Sequence, residues 1–101
     1  MARTKTLGGW VVAHHGMRAW WHVQRIIVAT GLAATVLNRR PIADEIIGPG
    51  CKRATYYRDL KVFREVFPEL EPFDVWTRLL RSREAKGLAV TDVVMRAGWS
   101  M

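Results

Sequence analysis

The chain lacks a second cysteine. Cys51 stands alone among 101 residues, so no disulfide can form within the chain and nothing in the cysteine pattern points to secretion. It also lacks a long apolar run. The longest, Ile26 to Leu37, is interrupted by Thr30, Gly31 and Thr35 and falls short of the roughly 20 residues that a membrane span needs. Near the N-terminus, Gly8, Gly9, His14 and His15 break up any apolar core that a signal peptide would require. The expectation is a cytoplasmic protein with no membrane partner. Catalytic signatures are missing too: there is no nucleophile with a spaced base, no phosphate-binding glycine loop and no paired carboxylates, so an enzyme is not expected. His14, His15 and His22 do not combine with Cys51 in a metal-ligand spacing, and neither a metal nor a cofactor is expected.

Acid is scarce in the first two thirds. The formal net charge is +7 with a pI near 10.5. Residues 1–25 carry Arg3, Lys5, Arg18 and Arg25 and no acid, and residues 39–64 carry seven bases against Asp44, Glu45 and Asp59. The remaining C-terminal third is close to neutral. Such an asymmetry places a contact surface for a polyanion on the first two thirds.

What is present is helical periodicity punctuated by Gly and Pro. Residues 1–9 are polar and glycine-rich and read as an N-terminal arm, leaving 10–101 as a single domain. The segment "WVVA" fits a helix or a short strand equally well. In "HGMRAWWHVQRIIVAT", Trp20, Val23 and Ile27 repeat at i, i+3, i+7 while Arg18, His22 and Arg25 share another face, which predicts an amphipathic helix ending near Gly31. "LAATVL" carries helical character on toward Asn38. A short helix over about 41–47 follows, with Pro41 in its first turn and Asp44 and Glu45 near the positive end of the dipole. Gly48, Pro49 and Gly50 break it. The next helix spans about 53–67, Pro68 setting its limit, and Tyr56, Leu60, Phe63 and Phe67 form its apolar stripe. A further helix from about Phe73 is stopped by Gly87, and a last short one fits between Thr91 and Gly98. The fold class is all-α, with four or five helices and no clear wing, since no Gly-rich hairpin follows Phe67.

Away from the apolar stripe, the 53–67 helix shows Arg53, Tyr57, Arg58, Lys61 and Arg64, with Lys52 and Thr55 at its start. Arg53 and Arg58 have the geometry to donate paired hydrogen bonds to guanine, Lys52, Lys61 and Arg64 suit phosphates, and the hydroxyls of Thr55 and Tyr57 serve either role. Arg39 and Arg40 add charge just before the short helix, and Arg18, Arg25, Arg3 and Lys5 are placed to reach flanking backbone.

At "CKRATYYRDL" the sequence resembles the recognition helix of helix-turn-helix DNA-binding proteins, in the style of small phage and actinobacterial regulators. Gly50 corresponds to the turn glycine, Lys52 to the capping position and "ATYYRDL" to the helix body. The spacing from Ala43 to Gly50 is seven residues where the motif usually has four. The resemblance implies sequence-specific binding of double-stranded DNA by insertion of this helix in the major groove, in the service of transcription regulation. It also implies a symmetric dimer. The near-neutral, Trp-bearing C-terminal third suggests a homodimer through Trp76, Leu80, Val94 and Trp99. The competing expectation is a small interaction protein, phage-encoded, that binds a host protein through Trp20 or Trp21 and the segment "LAVTDVVMRAGW".

Overall fold

The structure, a computed structural model, describes residues 7–48 and 51–86, with side chains through Arg81. Five α-helices make up the described residues: α1 (Leu7–His15), α2 (Met17–Leu37), α3 (Ala43–Ile46), α4 (Arg53–Val66) and α5 (Pro72–Lys86). The all-α expectation holds. The helix α1 takes in "WVVA", resolving that segment as helical, and begins at Leu7, so the last three residues of the expected arm are helical as well.

The 21-residue α2 is the axis against which α1, α4 and α5 all pack. Its start is fixed by Gly16, whose φ of 92° is open to glycine and strained for other residues, and whose N–H still donates to the Val12 carbonyl at 2.9 Å. Its end is fixed by Asn38 in the left-handed conformation (φ 55°, ψ 37°), one of the few non-glycine residue types that tolerate it. Between these points the helix runs through Gly31 without a break, past the predicted end. The reason is packing. A β-carbon at Gly31 would lie 2.3–2.5 Å from the indole of Trp76, so the glycine is the notch that lets α5 close on α2.

The core gathers where the stripes meet: Val23, Ile26 and Ile27 of α2, Phe63 of α4 and Val11 of α1 are at most 1% exposed. Fully burying one such side chain is worth about 1.5–3 kcal/mol. The predicted stripe of α4 is realised by Tyr56, Leu60 and Phe63, while Phe67 is half-buried just past the helix end, stacked on Trp10 at 5.7 Å between centroids. Trp20 is in the core at 2% exposure and its neighbour Trp21 is out of it at 56%.

The helix predicted over 41–47 is a single turn, Ala43–Ile46, with Pro41 buried ahead of it. The chain then reverses through paired backbone hydrogen bonds between Gly48 and Cys51, at 2.9 and 3.1 Å. The helix α4 makes its main contact with α2, not with α3. A helix-turn-helix pair is not shown among the described residues. Trp76, expected at a dimer interface, is 6% exposed and belongs to the monomer's own core, and Leu80 packs beside it against that core. Val94, Trp99 and the last predicted helix lie outside the described residues, as do Arg3, Lys5 and Gly50.

Candidate nucleic-acid interface

The helix α4 is a two-sided element. Its inward face carries Tyr56, Leu60, Phe63 and Val66 at helical spacing, and Asp59 falls among them, with its side chain 1% exposed. A carboxylate taken out of water must find partners, because desolvation of an unpaired charge costs several kcal/mol. Asp59 finds them on α2. Its Oδ1 accepts from His22 Nδ1 at 2.6 Å and from Arg25 Nη2 at 2.8 Å, and its Oδ2 accepts from Arg25 Nε at 2.8 Å. That bond to Asp59 raises the Arg25 pKa above its ordinary value, against the opposing effect of burial. The cluster fixes both the rotation and the height of α4 on α2, and so determines which residues α4 shows to solvent.

Those residues are basic and aromatic. Tyr57, Lys61 and Arg64 repeat at i, i+4, i+7 and form one outward column, with Arg58 on its flank and Arg53 at its head. Tyr57 is 49% exposed and meets Tyr56 edge to face at 5.1 Å. Together with Leu60 and Glu65, the column lines a shallow open groove of about 360 Å³. Lys52 occupies the N-cap position, as the sequence suggests, with an extended backbone and no side-chain capping bond. The first backbone N–H groups of α4 are thus left to solvent or to an anion. Thr55 is half-buried.

The structure sorts the candidate bases by what already holds them. Lys52, Arg58, Lys61 and Arg18 are exposed and have no ion-pair partner among the described residues. Arg53 and Arg64 are weakly held, by Asp44 at 3.4 Å and Glu71 at 3.6 Å, both in exposed pairs worth little. Arg40 lies over the Phe73 ring at 5.6 Å. Arg39 is committed to Glu45 by two hydrogen bonds, at 2.8 and 2.5 Å, and Glu45 also accepts from the Ile42 N–H at 3.0 Å. The Arg39 bond is the main reason, and the Ile42 bond the second, that the Glu45 pKa falls to about 2. Arg25, expected at flanking phosphate, is held by Asp59 through Nε and Nη2 while its side chain stays 48% exposed.

His22, Arg25 and Asp59 as a unit were missed in the sequence, although a signal was there. Asp59 sits at i+3 from Tyr56 and i−4 from Phe63, within the apolar stripe, and His22 and Arg25 share one face of α2. Cys51 is half-buried, and burial pushes its thiol pKa up, further from a reactive thiolate. Among the described residues no group of three or more His, Cys, Asp or Glu side chains is placed to hold a metal ion, and no helix is long and apolar enough to cross a membrane. No protein-family model, curated protein or solved structure matches the chain.

Proposed function

We propose that this protein binds double-stranded DNA in a sequence-specific manner through the outward face of α4, acting in the control of transcription. The observation that carries the reading is the division of α4 into a face locked to α2 through buried Asp59 and a face that offers Tyr57, Arg58 and Lys61 to solvent. A helix held in one orientation can bring an arginine to base edges with the accuracy that paired hydrogen bonds require. Arg58 is the side chain for base contact, with Arg53 able to leave its long contact with Asp44 for the same purpose. Lys52, Lys61 and Arg64 contact phosphates, and Arg18 and Arg40 lie on the flanks. Arg39 and Arg25 contribute field more than contact, because Glu45 and Asp59 already use their donors.

The test is the double substitution Arg53→Ala with Arg58→Ala, measured against a duplex selected by the wild-type protein. Loss of preference for the selected duplex, with circular dichroism unchanged, is the expected result. Undiminished binding by a folded double variant would remove α4 from the interface.

A second reading, a small protein that binds and redirects a host protein, is favoured by one observation: Trp21 and Met17 at the start of α2 are more than half exposed. Tryptophan is among the residue types enriched where protein interfaces carry their binding energy. Affinity for a protein partner that persists at high salt would support this reading over DNA, whose binding weakens steeply as counterions compete.

A further inference from the structure

The outward face of α4 is shaped as well as charged. Tyr57, Leu60, Lys61, Arg64 and Glu65 line its open groove of about 360 Å³, and each supplies something different. Leu60, 8% exposed, is the apolar floor. Tyr57 stands at the N-terminal end as an aromatic wall. Its ring meets that of Tyr56 at an interplanar angle of 83° and 5.1 Å between centroids, and Tyr56 belongs to the core, so the wall is braced from behind. Lys61 follows one turn on, exposed and without an ion-pair partner among the described residues. Arg64 closes the other end, about 10 Å from Tyr57 along the helix axis. It is steadied by Glu71 at 3.6 Å, in an exposed pair too weak to keep it from a competing anion.

Charge and shape together define what the groove can hold. The two cations, Lys61 and Arg64, stand against the single carboxylate of Glu65 and leave a net charge of +1, the complement of one phosphodiester. Three residues apart, Lys61 and Arg64 lie side by side on the helix surface, near enough to share one anion. A second phosphate would meet Glu65. The apolar floor and braced aromatic wall match the carbon face of a sugar.

We propose that this groove seats one sugar–phosphate unit of the DNA backbone, the phosphodiester between Lys61 and Arg64 and the deoxyribose against Tyr57 and Leu60. The inference rests on the reading of α4 as the duplex-binding face, and it adds a division of labour to that reading. Arg58 lies about 100° round the helix from Tyr57, so when the column of Tyr57, Lys61 and Arg64 rests on a backbone strand, Arg58 is turned away from that strand toward base edges. Tyr57 is then a positioning residue. It sets the height of α4 on the strand and carries no sequence information of its own.

The test compares binding of the full-length chain to a selected duplex and to a scrambled duplex of the same length, over a range of salt concentrations. Tyr57→Ala is expected to weaken both by the same factor, about 10-fold, the size that follows from losing about half the burial of a large side chain. Arg58→Ala should instead narrow the ratio between the two duplexes. Lys61→Ala with Arg64→Ala should reduce the slope of log affinity against log salt by about 1, the value for one shared phosphate, where two separate phosphates would give about 2. A scan of the selected duplex with single uncharged methylphosphonate linkages makes no demand on the fold of a variant. It should find one position that weakens the wild type and has no further effect on the Lys61→Ala, Arg64→Ala protein. A Tyr57→Ala protein with an altered ratio between duplexes, a slope change of about 2, or a scan with no such position would overturn the groove assignment and leave α4 on the duplex. A wild type that binds neither duplex would remove the DNA reading and this inference together.

Discussion

Replacing Asp59 with alanine is expected to cost about 3 kcal/mol of folding free energy. Removing one member of a buried charge cluster typically costs about 3–5 kcal/mol, because the partners left behind have lost both their hydrogen bonds and their water. Here the partners differ. The Arg25 side chain is 48% exposed and can turn its guanidinium to solvent, whereas that of His22 is 18% exposed and keeps an unsatisfied ring nitrogen beside the core. The relief available to Arg25 moves the expected cost to the lower end of the range. For a chain of this length, about 3 kcal/mol corresponds to a fall in melting temperature of about 12–24 °C. Urea denaturation followed by circular dichroism gives the free energy, and a double-mutant cycle of Asp59→Ala with Arg25→Ala gives the coupling between the two. The coupling should exceed about 1 kcal/mol. A loss of less than about 1 kcal/mol for Asp59→Ala would refute the reasoning that this carboxylate anchors α4, since it would mean the cluster is no stronger than an exposed pair.

Gly31→Ala reverses the usual rule for helix interiors, where alanine gains about 1 kcal/mol over glycine. The new β-carbon would meet the rigid Trp76 indole at 2.3–2.5 Å, so a net loss of about 1–3 kcal/mol is expected, readable in the same denaturation assay, and a stabilised variant would contradict the packing described. Glu45 is expected to titrate near pH 2 in the folded protein by carbon-detected NMR, and Arg39→Ala should return it toward its ordinary value of 4.5. Its folded-state pKa is lowered, so the small stabilisation it gives is complete above about pH 4.5 and disappears as pH falls toward 2; a wild-type titration near 4.5 would contradict the Arg39 contact.

The helices themselves were legible because apolar spacing and the Gly and Pro breaks agree. The ends of α4 were read to within a residue, from the Gly-Pro-Gly break before it and Pro68 after it. Where sequence and structure differ, tertiary packing outweighs a local signal. Gly31 reads as a stop, yet it is retained in mid-helix because α5 needs its missing side chain. Pro41 reads as a first helical residue, yet it is buried before a helix only one turn long. Trp76 has the composition of an interface or of a core, and only the fold separates the two. On the candidate site, the outward bases of α4 were evident from its helical wheel. The tie between Asp59 and α2 was not, because sequence alone does not say which faces of two helices 34 residues apart come together.

The central claim is that the outward face of α4 binds duplex DNA, and selection from a random duplex library at low and high salt tests it most directly. The expected result is enrichment of a defined sequence at low salt, an affinity that falls steeply as salt rises, and loss of that enrichment in the folded Arg53→Ala and Arg58→Ala double variant. Absence of any enrichment at either salt concentration, with the wild-type protein shown to be folded, would contradict it.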